Sequence, residues 1–221
     1  MVRKPGDEIV LHSYFRSSTS FRVRAALNLK GLSYTYVAHS LLEGAHKQAR
    51  FLAINPQGLV PSIVWDDGTV LSQSLAIVEF IDEVAPEPPL LPGDPQGRAR
   101  VRSLAQMIAC DIHPVNNLRI LNALRSRFGA SDGDVSDWFR HWVGETFVPL
   151  EALLAGSDAT GRFCHGDSPG VADLCLAGQV INNARFDVDM APYPTINRIF
   201  DNCMSIEAIG NAAPANQPDA P

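Results

Sequence analysis

The fold is decided by the stretch EIVLHSYFRSSTSFRVRAALNLKG, which runs from Glu8 to Gly31. Its apolar run at residues 9–11 predicts a buried strand over Glu8–Ser13. The Ser and Thr residues at 17–20 suit the N-cap of a helix, and Gly31 is a common signal for the end of one. The stretch therefore predicts a strand that passes directly into a helix.

Strands and helices alternate through the first part of the chain. Further strands are predicted at Tyr34–Ala38, Pro61–Trp65 and Thr69–Leu71, and further helices at about His46–Ile54 and from Gln73 to about Val84. The turn Asp66-Asp67-Gly68 predicts a hairpin between the last two strands. The order β-α-β-α-β-β-α predicts a compact α/β sandwich.

A proline-rich stretch, PEPPLLPGDP, separates two halves of the chain. It places five prolines between Pro86 and Pro95, and a helix cannot pass through it. Beyond it the apolar residues follow a helical period at Val101–Ile112, Val135–Leu154 and Val171–Asn183. We therefore expect an α/β domain at 1–85, a linker at 86–96 and an all-helical domain at 97–221, with a loose tail from Ala212.

Composition and charge exclude several classes of protein. The chain has 221 residues, a formal net charge of −6 and 46% hydrophobic residues, which is ordinary for a globular protein and gives no basic surface for nucleic acid. No run approaches the ~20 apolar residues of a membrane span, and the polar N-terminus is not a signal peptide. The four cysteines lack the paired spacing of a zinc site, which favours reduced thiols in a cytoplasmic protein that holds no metal.

The turn before the first helix has the chemistry of an anion site. A helix N-terminus presents unpaired N–H groups and the positive end of a dipole. The hydroxyls of residues 17–20 exceed what capping one helix requires, although one of them serves as the cap in either interpretation. A thiolate held there would have a lowered pKa and be reactive at neutral pH. No cysteine lies in the turn, so the thiol has to come from another molecule.

Two further turns suggest contacts with a peptide-like anion. Val60-Pro61 precedes the third strand, and we predict a cis bond that leaves the Val60 N–H and C=O free for a ligand. Alternatively, Pro61 only begins the strand. Gln73-Ser74 opens a helix and predicts a second small anion site, although Ser is common at the start of helices.

Five stretches of the sequence resemble one enzyme family. They are YFRSSTSFRVRAALNLKGL (14–32), NPQGLVPSI (55–63), LSQSLAIVEFID (71–82), LLPGDPQGRARVRSLAQMIACDIHPVNNLRIL (90–121) and GRFCHGDSPGVADLCLAGQVINNARF (161–186). These stretches resemble the zeta class of glutathione transferases, and within it the bacterial maleylacetoacetate isomerases and the related maleylpyruvate isomerases. The Ser-rich arginine motif and CDIHPVNNLR are the specific matches, and the resemblance covers nearly the whole chain.

The resemblance implies a fold, a cofactor and a set of site residues. The fold is an α/β thioredoxin-like N-terminal domain plus an all-α C-terminal domain, in a homodimer, and the cofactor is glutathione. The sulfur of glutathione would be surrounded by Ser17, Ser18 and Thr19, with Ser17 stabilising the thiolate. His46 and the Val60 backbone would contact the tripeptide, and its γ-glutamyl carboxylate would bind at Gln73 and Ser74. From the second domain, His113 and Asn117 would complete the cleft.

Arginines indicate the class of substrate. The family's substrates are dicarboxylates, and a guanidinium group binds a carboxylate through two charge-assisted hydrogen bonds that lysine cannot reproduce. We expect substrate contacts from Arg16, Arg119 and Arg185. For Arg22 and Arg24 we expect surface or interdomain salt bridges instead, a role that is also open to Arg119.

Two positions depart from the family's pattern. Thr19 stands where eukaryotic members have Cys, so a hydroxyl is kept but thiol chemistry at that position is excluded. Gly170 stands where a Ser or Thr usually caps a buried helix, three residues before Asp173. Because Gly is only slightly worse than Ser as an N-cap, the second departure bears on stability more than on activity.

The reaction implied by the resemblance is glutathione-dependent cis–trans isomerisation of maleylacetoacetate to fumarylacetoacetate, in aromatic amino acid catabolism. The thiolate would add to an alkene carbon, the resulting single bond would rotate, and elimination would return glutathione. Alternatives are a maleylpyruvate isomerase of gentisate catabolism, a transferase that conjugates or dehalogenates small electrophiles, and a binding module without catalysis. Arg16 and Arg185 favour a dicarboxylate over a hydrophobic electrophile, and the hydroxyl cluster argues against a binding module.

Overall fold

The computed structural model describes residues 8–221 and divides them into two compact units. One unit runs to Leu90 and also takes in Ile206–Pro221, and the other is Leu91–Ser205. This division differs from the helical domain expected at 97–221, because the C-terminal residues pack in the first unit instead of with the helices that precede them.

The first unit is built on a mixed sheet. Its strands are β1 (Val10–Ser13), β2 (Thr35–Ala38), β3 (Ser62–Val64) and β4 (Val70–Ser72). They lie in the order β2-β1-β3-β4, with β1 parallel to β2 and antiparallel to β3, and with β4 antiparallel to β3. A parallel pair followed by an antiparallel hairpin is the thioredoxin-like arrangement that the family resemblance implied, and that expectation is confirmed.

The central strand explains why the apolar run at residues 9–11 is continuous. Val10 of β1 lies opposite Thr35 on one side and Val64 on the other, so β1 has a neighbour along both edges. Ile9 and Leu11 are fully buried. Because β1 has a neighbour along both edges and even Val10 is half-buried, the strand needs no polar alternation.

The helices, in chain order, are α1 (Ser18–Leu29), α2 (Ala49–Leu52), α3 (Ser74–Val84), α4 (Pro95–Gln106), α5 (Leu118–Phe128), α6 (Asp132–Ala155), α7 (Val171–Asn183), α8 (Pro194–Met204) and α9 (Glu207–Gly210). Short 3₁₀ turns occupy Ala45–Lys47, Ala184–Phe186 and Pro214–Asn216, and α4 continues as a π-helical segment over Met107–Ile112. The helix predicted at 46–54 is shorter than expected, because the extended backbone of Gln48 (ψ 147°) separates the first 3₁₀ turn from α2.

The second unit is all-helical, as predicted. The proline-rich stretch ends by starting its first helix: Asp94 accepts a hydrogen bond from the Gly97 N–H (2.7 Å), and Pro95 is the first residue of α4. Proline suits that position because its φ is helical and the N–H that it lacks would have no partner there. No helix in the part of the chain that the structure describes is both long and apolar enough to cross a membrane.

The C-terminal tail is ordered, so the expectation of a loose tail is wrong. The Ala212 carbonyl accepts hydrogen bonds from Nε and Nη2 of Arg24 on α1 (3.0 and 2.9 Å). The Asp219 carboxylate accepts from the Phe15 N–H (3.1 Å) and the Tyr36 hydroxyl (2.7 Å). A buried guanidinium needs several acceptors, and the tail supplies one of them.

Candidate active site

The turn between β1 and α1 carries a chain of hydroxyl hydrogen bonds. Ser17 is the N-cap of α1, and its Oγ accepts from the Ser20 N–H (3.1 Å). The Thr19 hydroxyl donates to the Val60 carbonyl (3.1 Å) and lies 2.9 Å from Ser17 Oγ. Since Thr19 has a single proton and gives it to a carbonyl, Ser17 is the donor between the two hydroxyls. Its proton therefore points into the cluster.

The positive end of α1 has no carboxylate of its own. The first turn of α1 contains no acidic residue, whereas that of α6 contains Asp132 and Asp134. Ser17 and Thr19 are half-buried, and Ser18 is buried. The N-terminus of α1 can therefore accept a negative group from outside the chain.

The Val60-Pro61 bond is cis, as predicted. The Val60 carbonyl is not free, however, because it accepts the hydrogen bond from Thr19. A carbonyl oxygen has a second lone pair, so it can still accept from a ligand. The contact joins the loop before β3 to the start of α1.

The start of α3 forms a second polar site in the same unit. Gln73 has φ 71° and ψ 111°, a region that costs a residue with a side chain about 1–3 kcal/mol and often marks a functional position. Its side-chain amide donates to Gln57 Oε1 (3.0 Å). Ser74 is the first residue of α3, whose first turn also contains no acidic residue. Like α1, this helix can accept an anion.

Arg22 and Arg24 are buried inside the first unit, so the expectation of surface or interdomain salt bridges is wrong for both. Arg22 is 1% exposed and donates through Nη1 to Ser74 Oγ (3.2 Å). Arg24 is fully buried; besides Ala212 it contacts the Ser13 hydroxyl and the Tyr14 and Phe15 carbonyls (3.1, 3.3 and 3.0 Å). Both lie inside because α1 is buried on nearly every face.

His46 lies in the first 3₁₀ turn and is half-buried, and its Nδ1 is buried without a hydrogen-bond partner. Burial, followed by the charge of Lys47, lowers the pKa of His46. The lowered pKa favours the uncharged imidazole at neutral pH, in which one ring nitrogen donates a hydrogen bond and the other accepts one. This suits a contact with a peptide group better than one with a carboxylate.

Arg16 lies in the turn after β1, where aromatic neighbours hold it. Its Nε and Nη2 donate to the Tyr14 hydroxyl (3.3 and 3.1 Å), and its guanidinium carbon lies 5.2 Å from the centre of the Phe15 ring. The acceptor is a neutral phenol, so the charge of Arg16 is not neutralised by this contact. Tyr14 thus orients a cation next to the hydroxyl cluster.

The second unit supplies the other predicted residues. Asn117 is the N-cap of α5: its Oδ1 accepts from the Arg119 N–H (3.1 Å), and its Nδ2 lies 3.3 Å from His113 Nε2. Arg119 is exposed. Arg185 is also exposed, in the 3₁₀ turn after α7, where its Nη1 donates to Asn182 Oδ1 (2.9 Å).

Direct contacts therefore join three groups of residues. Two groups lie in the first unit: one is Ser17, Thr19 and Val60, and the other is Gln73 and Ser74 with the buried Arg22. The third group lies in the second unit and consists of His113, Asn117 and Arg119. The sequence did not identify the roles of Arg22 and Tyr14. A signal for Arg22 was present, because it lies within a helix that is otherwise almost entirely apolar from Phe21 to Leu27.

Comparison with known proteins identifies the family. Residues 16–84 match the family model described as Glutathione S-transferase, N-terminal domain. The chain is 47% identical over 211 residues to the maleylpyruvate isomerase of a Ralstonia species (95% of this chain, 99% of the relative). It is 43% identical to the maleylacetoacetate isomerase of Pseudomonas aeruginosa (96% and 98%). A solved maleylpyruvate isomerase, described as a zeta-class bacterial glutathione S-transferase, superposes with a TM-score of 0.94 at 46% identity (96% and 100%). The chain belongs to the zeta-class glutathione transferase family.

Two further solved members of the zeta-class family contain ligands. The maleylacetoacetate isomerase of Methylobacterium extorquens AM1, with bound malonate and glutathione, is 41% identical with a TM-score of 0.93 (96% of this chain, 99% of that one). The enzyme of Anaeromyxobacter dehalogenans 2CP-1, with dicarboxyethyl glutathione and citrate in its active site, is 40% identical with a TM-score of 0.84 (97% and 98%).

Proposed function

We propose that the chain is a glutathione-dependent cis–trans isomerase that converts maleylacetoacetate to fumarylacetoacetate. The observation that carries this proposal is the hydroxyl cluster at the start of α1, which holds no cysteine and no carboxylate and so suits a thiolate brought by another molecule. The nearly full-length similarity to maleylacetoacetate and maleylpyruvate isomerases supports it.

The residues present fit glutathione. Ser17, Ser18 and Thr19 would hold its sulfur at the start of α1, and Gln73 and Ser74 would hold its γ-glutamyl carboxylate at the start of α3. Both are helix N-termini that contain no acidic residue in the first turn. The remaining contacts that we propose come from His46, the Val60 backbone, His113 and Asn117.

Bound glutathione supplies a thiol nucleophile that can add reversibly to an alkene. The chain's own residues determine its charge and the orientation of the substrate. The Ser17 hydroxyl and the α1 N–H groups favour negative charge at the sulfur position, because hydrogen bonds to an anion are charge-assisted. Arg16, Arg119 and Arg185 are proposed to bind the carboxylates and to stabilise the negative charge that develops on a substrate oxygen.

Maleylpyruvate is the second candidate substrate. The Ralstonia relative, at 47% identity, carries the name maleylpyruvate isomerase, so sequence similarity does not separate the two activities. Conjugation or dehalogenation of small electrophiles shares the attack by glutathione but not the release of free glutathione at the end.

We also propose that the enzyme is a cytoplasmic homodimer. Val70 and Val84 are partly exposed in the first unit (46% and 48%), and contact with a second copy would remove them from water. The free cysteines, three of them buried, agree with a reducing compartment. Sedimentation equilibrium should give twice the mass of one chain. A species with the mass of a single chain would contradict the dimer.

Turnover assays with purified enzyme test the proposed function. Maleylacetoacetate and maleylpyruvate are each followed with and without glutathione, and total free thiol is measured throughout. An isomerase produces the trans isomer only when glutathione is present and leaves free thiol constant, whereas a conjugating transferase consumes it. The ratio of the two kcat/KM values assigns the substrate, and the absence of turnover of both would contradict the proposal.

A further inference from the structure

Arg22 is a cation buried without a counter-ion. Its Nε and Nη2 are buried and have no hydrogen-bond partner, and its Nη1 donates to the neutral Ser74 hydroxyl. Among residues 8–221, no carboxylate forms an ion pair with it. An unpaired buried charge opposes folding, so packing of the side chain does not by itself account for an arginine at this position.

Arg24 shows what a structural arginine looks like on the same helix. All three of its guanidinium nitrogens donate to acceptors of the chain, on β1, in the turn after it and in the C-terminal tail. The two side chains are equally deep, at 1% and 0% exposure. Burial of α1 therefore does not explain why the acceptors around Arg22 are missing.

The side chain of Arg22 leads to a place that suits an anion. Ser74 begins α3, an eleven-residue helix that contains no acidic residue in its first turn. A hydroxyl has one proton and two lone pairs. Since Arg22 donates to Ser74 Oγ, the Ser74 proton remains available for an acceptor outside the chain.

We propose that Arg22 is the buried counter-charge of the γ-glutamyl carboxylate of glutathione, a positioning residue that acts through Ser74. This inference rests on the proposed function, in which that carboxylate binds at Gln73 and Ser74. Ser74 accepts from Arg22 and donates to the carboxylate, so the hydroxyl is oriented before the ligand arrives. The charge of Arg22 therefore favours the bound state and opposes the ligand-free fold.

The test replaces Arg22 by Met and measures two quantities. Calorimetry gives the Kd of three tripeptides: glutathione, glutaryl-Cys-Gly, which keeps the carboxylate but lacks the amine, and 4-aminobutanoyl-Cys-Gly, which lacks only the carboxylate. Arg22→Met should weaken the first two roughly ten- to a hundredfold and the third by less than about threefold. Without ligand, its melting temperature should equal or exceed that of the parent, because removing an unpaired buried charge is neutral or stabilising.

Two matched controls isolate the effect. Arg127 is an exposed arginine on α5, and Arg127→Met makes the same change in net charge while leaving tripeptide preference unaltered. Arg22→Gln removes the charge but keeps an amide that can donate to Ser74, so it should lose the preference for the carboxylate as Arg22→Met does. Retention of the full preference in Arg22→Gln would overturn the role of the charge.

Further outcomes overturn the inference. Equal losses on all three tripeptides, or a lower melting temperature with an unchanged preference, would make Arg22 structural. So would the failure of both Arg22 variants to fold. If the parent binds glutathione and Arg22→Met binds it equally well, only this inference is lost. If the parent binds none of the tripeptides, the proposed function is lost and the inference with it.

Discussion

At the scale of single residues, Ser17 combines two roles in one hydroxyl. Its oxygen caps α1 by accepting from the Ser20 N–H, and its proton points to Thr19. The cap uses a lone pair and the proposed catalytic role uses the proton, so the two do not compete. A bound thiolate would replace a neutral acceptor by a charged one, and the hydroxyl would need only to rotate.

Replacing Ser17 by Ala should lower kcat far more than it weakens glutathione binding. Loss of one hydrogen-bond donor to a reacting anion costs about 10²–10³-fold in turnover, which Ser18 or Thr19 can partly compensate. The optimum of the pH–rate profile should move to higher pH, because the pKa of the bound thiol rises. Steady-state kinetics and calorimetry measure the two effects.

A second cap provides the control for Ser17→Ala. Ser131 caps α6 in the same way. Loss of either cap should lower the unfolding free energy by ~1 kcal/mol, but Ser131→Ala should leave kcat unchanged. If Ser17→Ala keeps both the parental turnover and the parental pH–rate profile, Ser17 is a cap and nothing more.

The proposed substrate arginines should separate charged from neutral substrates. Arg16→Ala or Arg185→Ala should raise KM for the dicarboxylate by roughly ten- to a hundredfold, since a hydrogen bond to a charged group is worth about 1.5–3 kcal/mol. Glutathione affinity should stay nearly parental, and lysine should rescue poorly because it loses the two-pronged geometry. Parallel kinetics with a neutral aromatic electrophile are the control. Equal losses on both substrates would mean that the arginines support the fold.

At the scale of helices, α6 and α7 each have an aspartate as their third residue, exposed in α6 and buried in α7. Asp173 of α7 is 2% exposed and accepts from the Gly170 and Cys164 N–H groups (both 2.8 Å), and burial raises its pKa to about 6. Asp134 of α6 is exposed, and hydrogen bonds from Ser131 lower its pKa.

The two aspartates should therefore affect the pH dependence of stability with opposite signs. The folded pKa of Asp173 lies above its unfolded value of 3.8, so its contribution is fully present below pH 3.8 and is lost as the pH rises through about 6. The contribution of Asp134 to stability is present above pH 3.8 and is lost as the pH falls through its lowered folded pKa. Urea unfolding of Asp173→Asn and Asp134→Asn between pH 3 and 8 measures both. A parental advantage over Asp173→Asn that grows from pH 4 to 7 would contradict the assignment.

Local patterns predicted most elements because local interactions determine them. The apolar run before Ser13, the hydroxyls at 17–20 and the Asp-Asp-Gly turn each act within a few residues, and the sheet and α1 follow from them. The helix at 46–54 was predicted too long because the backbone at Gln48 is extended. Glutamine is common inside helices, so the residue type gave no signal of the break. The hydroxyl cluster was predicted as a group, but its hydrogen bond to Val60 joins residues 41 positions apart.

At the scale of the whole molecule, the sequence pattern does not predict the contact between α1 and the C-terminal tail. Arg24 and Ala212 are 188 positions apart, and no periodicity links them. A tail rich in proline and alanine lacks the composition of a packed segment, yet Ala212 is fully buried. What holds the tail is the hydrogen-bonding demand of one buried guanidinium, together with the carboxylate of Asp219.

The last prediction follows from that demand. Arg24→Met leaves the Ala212 and Phe15 carbonyl oxygens and the Ser13 hydroxyl without the Arg24 donor, while the Tyr14 carbonyl keeps the Ser17 N–H. Each buried acceptor without a partner costs about 1–3 kcal/mol, so unfolding free energy should fall by at least ~3 kcal/mol, or roughly 6–12 °C in melting temperature. Arg22→Met makes the same chemical change on the same helix and should cost nothing. In a chain that ends at Ser205, Arg24→Met should cost less than in the full chain, because the Ala212 acceptor is already gone and the two changes are coupled. Additive losses would show that Arg24 and the tail stabilise the first unit independently.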